Sequence, residues 1–125
     1  MMNRILVAVD DSRPALAAAE YAIQLALANA AELHFVTVAE PDRSTDGIIS
    51  HVSALAEAAG IAPTSTTLHG QPPFELLLAF VDEWGADLII MGRSDLRRPG
   101  QPYVGSQTEH LLEFTHIPVL VVPDP

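Results

Sequence analysis

The 125-residue chain contains no cysteine and no lysine. The first absence excludes a disulfide scaffold, a zinc finger, an iron–sulfur site and a thiol nucleophile. The second leaves six arginines as the only permanent cations, against sixteen aspartates and glutamates, for a formal charge of −10. Polyanions are bound by releasing phosphate counterions onto Lys and Arg, so this balance argues against nucleic acid. It also disfavours anionic membrane surfaces. No apolar run approaches the roughly 20 residues that cross a bilayer. Internal repeats, low-complexity tracts and an interdomain linker are likewise missing from the sequence.

What is present suits one domain over residues 1–125. Apolar residues make up 49% and charged residues 18%, which is the composition of a folded globular chain. At this length about two-thirds of the unfolded surface is buried, enough for a core without staples. Met1-Met2-Asn3-Arg4 runs straight into a strand-like segment instead of a signal peptide. The expectation is a soluble, cytoplasmic protein.

The apolar pattern alternates between two periods. Ile5 to Val9 is an unbroken apolar run closed by Asp10-Asp11-Ser12, as in a strand buried on both faces. Ser12 is a good N-cap and Pro14 fits a first turn, so a helix follows to about Asn29. Glu32 to Ala39 reads as a second strand, and about Thr45 to Ala59 as a second helix stopped by Gly60. Ala62 to Leu68 carries four Thr or Ser among seven residues, which suggests a third strand near a sheet edge. A third helix runs from the His69-Gly70-Gln71-Pro72-Pro73 segment to about Trp84. Ala86 to Met91 is the fourth strand, Gly105-Ser106 opens the fourth helix, and His116 to Val122 is the fifth strand. Strand and helix in strict alternation predict a doubly wound α/β fold with a parallel sheet and helices on both faces.

In such sheets ligands bind beyond the carboxyl ends of the strands, where strand order reverses. Asp10 ends the first strand. The loop after the fourth strand begins at Met91-Gly92 and returns at Gly105-Ser106-Gln107-Thr108. A glycine followed by serine at a helix start is a sensible anion site, because free amides and the positive end of the dipole point outward there. The same residues also occur where a glycine merely ends a loop and a serine merely caps a helix. Spacing alone leaves both open.

The segment from Met91 to Val122, MGRSDLRRPGQPYVGSQTEHLLEFTHIPVLVV, resembles the C-terminal signature of the universal stress protein family. That family carries G-x2-G-x9-G-S/T between the fourth strand and fourth helix, and Gly92, Gly105 and Ser106 match it with the spacing intact. Ile5 to Asp10, Gly70 with Pro72, and Ala86 to Gly92 match further landmarks, so the resemblance spans the chain. It implies a five-stranded parallel sheet of order 3-2-1-4-5, similar to the adenine-nucleotide alpha-hydrolase fold. It also implies adenine-nucleotide binding, which some members have and others lack: ATP, with AMP or ADP as alternatives. Carried over by position, Asp10 would hold the ribose hydroxyls, and Ala8 and Val38 would line the adenine pocket, Val38 through its backbone. Met91 would cover the base, Gly92 would approach the sugar–phosphate, and Gly105, Ser106, Gln107 and Thr108 would contact phosphates.

One position departs from the signature: Asp95 stands at the second glycine. Aspartate tolerates left-handed backbone better than most residues. Its charge is the larger obstacle, because a carboxylate about 5 Å from one phosphate charge costs roughly 3 kcal/mol at an effective dielectric near 20. One charge-assisted hydrogen bond returns roughly 1.5–3 kcal/mol. Magnesium bridging Asp95 to phosphate oxygens would reverse the sign, and Arg93, Arg97 and Arg98 lie close in sequence.

The remaining candidates make no catalytic set. The five histidines show no ligand spacing, and Asp11 reads as a turn residue, so no metal site is expected. Trp84 reads as packing. Ser106 and His110 sit one turn apart without an identifiable orienting carboxylate, so any hydrolysis of ATP would be slow. The resemblance implies a homodimer through the strand from Ile117 to Val122, an apolar edge that would otherwise seek a partner. The leading expectation is a nucleotide-binding stress or regulatory protein. The alternative is a dimeric interaction module whose Asp95-bearing crevice takes no nucleotide.

Overall fold

Glycine, proline and serine punctuate the chain where its hydrophobic period changes, and the elements follow. The computed structural model describes residues 2–10, 12–39, 46–70, 72–93 and 106–123. In chain order these form β1 (Arg4–Ala8), α1 (Arg13–Asn29), β2 (Glu32–Val38), α2 (Asp46–Ala58), β3 (Thr64–Leu68), α3 (Pro73–Trp84), β4 (Leu88–Gly92), α4 (Ser106–Phe114) and β5 (Val119–Val122). All strand pairs are parallel, in the order β3-β2-β1-β4-β5. This is the doubly wound sheet that the alternating pattern and the resemblance imply.

Three strands start later than the sequence pattern predicts, each for a local reason. Pro63 precedes β3 and Pro118 precedes β5, and neither offers a ladder N–H. Before β4, Ala86 N donates to Val81 O (3.2 Å) to finish the preceding helix end, while Asp87 is a staple. Its Oδ2 accepts from the amides of Asn3 (2.8 Å) and Arg4 (2.9 Å), and its own amide donates to Arg4 O (2.8 Å). Asp87 thereby sets the register of β1 on β4, which brings Ala8 level with Met91 at the opposite end.

The sheet is covered on both faces. Ile5 and Val7 of β1, Phe35 of β2 and Ile90 of β4 pack with α1 and α2. Leu6, Val36, Ile89 and Met91 point to the other face, with Leu77 and Val81 of α3 and Leu111 of α4. The inner face of α1 is mostly alanine (Ala15, Ala18, Ala19, Ala22 and Ala26, with Ile23), spaced three and four apart. Such small side chains let the helix axis lie close to the strands. Ser12 caps α1, its Oγ accepting from Ala15 N at 3.3 Å. At the far end Ala30 takes a left-handed conformation (φ 52°).

Candidate functional site

The sheet order reverses at β1, which pairs with β2 on one side and β4 on the other. The helices that follow β1 and β4, α1 and α4, lie on opposite faces of the sheet, the divergence at which open α/β sheets form a ligand crevice. Ala8 and Val38, expected to line the adenine pocket, and Met91, expected to cover the base, lie on one face of the sheet at the carboxyl ends of their strands. Ala8 and Met91 are register partners on the face that carries α3 and α4. Val38 ends β2 opposite Leu68, two residues after Val36 and so on that same face. Met91 is buried, while Ala8 and Val38 are half-buried.

Asp10 lies two residues past Ala8 and is exposed. Its carboxylate is held in place: Oδ1 accepts from Ser12 N at 2.9 Å. Among the described residues Oδ2 takes no further hydrogen bond. An anchored carboxylate beside an apolar floor can accept from hydroxyls of a ligand whose flat, apolar part rests on that floor. Ser106, Gln107 and Thr108 form the first turn of α4, where amide groups lack intrahelical acceptors. The side chains of these three, and residues Asp95 and Gly105, lie outside the described part of the structure.

Gly92 has a use that its sequence context did not reveal. A Cβ there would lie 2.5 Å from the carbonyl carbon of Pro14 and 2.7 Å from both Pro14 O and Ala15 N. The missing side chain is what allows the first turn of α1 to sit against the end of β4. One residue on, Arg93 N donates to Val122 O at 2.7 Å and carries the pairing with β5 past the strand.

His34 was also unassigned from sequence. It is buried, with Nδ1 bonded to Thr64 Oγ1 and Nε2 to Thr66 Oγ1 (2.9 Å), under the rings of Phe80 and Trp84. Burial pushes its pKa down from the usual value, and the nearby Arg4 guanidinium adds to the effect. Trp84 is a packing residue, lying 4.3 Å under Arg4 and 5.1 Å from the His34 ring. The alternation of Leu33, His34, Phe35 and Val36 was the signal that His34 points to the α3 face.

A cavity of about 370 Å³ lies at the opposite pole of the sheet, lined by Ala26, Leu27, Ala31, Leu33 and Ile61 among others. It has no convergent polar groups beyond the strand-start residues Glu32 and Thr64, and Glu32 is bound to Arg4 at 3.2 Å. Among the described residues no group of three or more His, Asp or Glu is placed to hold a metal ion. No helix among them is long and apolar enough to cross a membrane.

Known proteins share this fold. A profile of the universal stress protein family matches residues 1–55 and 47–123. A universal stress protein of Methanocaldococcus jannaschii, MJ0531, is 28% identical over 144 aligned positions, which cover 100% of this chain and 84% of that protein. A crystal structure of a universal stress protein in complex with cAMP superposes with a TM-score of 0.83 at 26% identity, covering 99% of this chain and 98% of the other. A universal stress protein from Archaeoglobus fulgidus in complex with dAMP shares the fold (TM-score 0.71, 22% identity, 98% of each chain).

Proposed function

This chain belongs to the universal stress protein family, and from that premise we propose that it binds an adenine nucleotide in the crevice between β1 and β4. The observation that carries the reading is the convergence of Ala8, Met91 and Val38 on one sheet face beside the anchored Asp10. The relative with cAMP, 26% identical over nearly the full length of both chains, supports it. Asp10 accepts hydrogen bonds from the ribose hydroxyls, the apolar residues take the base, and the amides of Gly105 to Thr108 take phosphate. ATP is the expected ligand, with magnesium offsetting Asp95, and AMP or ADP the alternatives. The role is binding, read out by other proteins in a stress or regulatory response, without turnover beyond slow hydrolysis.

Calorimetric titration of ATP, AMP and cAMP into the protein, with and without magnesium, tests this. The expected result is saturable heat, abolished by Asp10→Ala. A ligand at 100-fold excess over Kd adds about 2.7 kcal/mol of stability, so a rise in Tm is a second readout. The absence of both heat and a Tm rise with all three nucleotides overturns the proposal.

The substitution of Asp95 for a signature glycine favours a second reading, an interaction module with no nucleotide. Gain of ATP affinity in Asp95→Gly supports it. Loss of affinity in that variant assigns Asp95 to magnesium.

A further inference from the structure

Two features of the crevice are linked through the start of α1. Ser12 donates its amide to Asp10 Oδ1 at 2.9 Å and caps the helix through Ala15 N at 3.3 Å. The Pro14–Ala15 peptide of that same turn fills the space where Gly92 would carry a Cβ. The clash at 2.5–2.7 Å is with backbone, so a side chain at Gly92 cannot be accommodated by a rotamer change. It must push the first turn of α1 away from the sheet. That turn carries the amide that orients Asp10.

We propose that Gly92 is a positioning residue for the crevice: lacking a Cβ, it seats the first turn of α1 against β4, and the Ser12 amide on that turn aims the Asp10 carboxylate. The bare side of Gly92 therefore serves the helix, and its effect on a ligand travels through Asp10. Asp10 and Ser12 lie in the connection from β1 to α1 and Gly92 ends β4, segments that the pairing of β1 with β4 and this packing bring together. Half of the inference, the consequence for binding, rests on the nucleotide reading above; the other half, the seat itself, does not.

The test separates the two. Amide hydrogen exchange at Ser12 is measured without nucleotide in the parent chain, Asp10→Ala, Gly92→Ala and the double variant. In the parent, Asp10→Ala speeds Ser12 exchange by about tenfold or more, the value of a hydrogen bond to a charged group. In Gly92→Ala exchange is already fast, and adding Asp10→Ala changes nothing. AMP affinity is measured on the same four proteins. Asp10→Ala and Gly92→Ala each weaken it by about tenfold or more, and the double variant is no weaker than Asp10→Ala alone. Losses that multiply place Gly92 in direct contact with the ligand and overturn the proposal, as does a Gly92→Ala protein that protects Ser12 like the parent. Absence of AMP binding by the parent overturns the reading of the site, and exchange at Ser12 then decides the seat by itself.

Should Gly92→Ala fail to fold, Ser12 supplies the second arm. Its φ of −84° is within reach of proline, so Ser12→Pro removes the amide donor without touching Gly92. Ser12→Ala keeps the amide and removes only the cap. Loss of AMP affinity in Ser12→Pro but not in Ser12→Ala supports the aiming role, and equal affinity in both overturns it.

Discussion

The imidazole of His34 lies 5.1 Å from the indole of Trp84, with the two planes tilted by 36°. Both ring nitrogens are meanwhile bonded to hydroxyls of β3, those of Thr64 and Thr66. β3 is an edge strand whose first two residues are exposed, so this histidine is a main side-chain link between it and the sheet. Only 5% of its surface is accessible, and protonation there sacrifices hydration with the Arg4 guanidinium nearby.

Stability should therefore fall in mild acid. The folded-state pKa of His34 lies below the unfolded value of 6.5, so the unfolded chain takes up the proton first. The contribution of neutral His34 is fully present above pH 6.5 and is lost as pH falls below it, at up to about 1.4 kcal/mol per pH unit for a single group. Urea unfolding between pH 5 and 7.5 measures this. His34→Gln should remove that part of the slope, and an unchanged slope would assign it to other groups.

Asp87→Ala should cost about 1–3 kcal/mol, because it orphans the amides of Asn3 and Arg4 that now share one carboxylate oxygen. Equilibrium denaturation checks it. A loss well under 1 kcal/mol would show that water replaces the carboxylate at the start of β1.

Two helix ends predict opposite signs. Gly85 ends α3 at φ 79° and Ala30 ends α1 at φ 52°. Gly85→Ala should destabilise by about 1 kcal/mol, and Ala30→Gly should stabilise by about 0.5–1 kcal/mol, the left-handed penalty less the entropy of glycine. Urea midpoints of the two variants moving in the same direction would refute the argument.

Among the described residues of α4, Leu111 is fully buried, in one cluster with Leu6, Leu77 and Met91. Leu111→Ala should cost about 2–5 kcal/mol. On the proposed reading it should also weaken AMP binding, since it loosens the helix whose first-turn amides would take the phosphate. Calorimetry that finds full affinity in the folded variant would detach α4 from the site.

Among the described residues no strand pairs with the outer edge of β5, the edge on which the expected homodimer would form. Pro118 O accepts from Ile89 N of β4 and Val122 O from Arg93 N just past it, so the alternation of a parallel ladder turns the amides of Val119 and Val121 outward. If the homodimer forms on this edge, Val121→Pro removes an outward donor without breaking the pairing with β4, and sedimentation should show a monomer. A dimer that survives the substitution would place the interface elsewhere.

Much of the fold was legible because its signals are local. Unbroken apolar runs at Ile5 to Val9 and Leu88 to Met91 mark strands covered on both faces, and Ser12-Arg13-Pro14 marks a helix start wherever it falls. Asp10 and Met91 stand out in the sequence because they close the first and fourth apolar runs, whereas Ala8 and Val38 are carried over by position from the family resemblance. His34 was passed over because a lone histidine in an apolar strand shows no partner until β3 and α3 lie beside it. The role of Gly92 was hidden for a related reason: a glycine after a strand does not name the backbone that occupies its vacant side.

The chain's own residues determined the order of elements and their periods, and with them a parallel sheet with its crevice at the carboxyl ends. Apolar periodicity acts over a few residues, and crossover handedness leaves few ways to join the pieces. Tertiary structure alone decided which distant atoms meet: Pro14 in the space beside Gly92, Asp87 across two amides, His34 between two threonines and an indole. Those meetings depend on register and on helix-to-sheet distance, which are set only when the whole core packs at once.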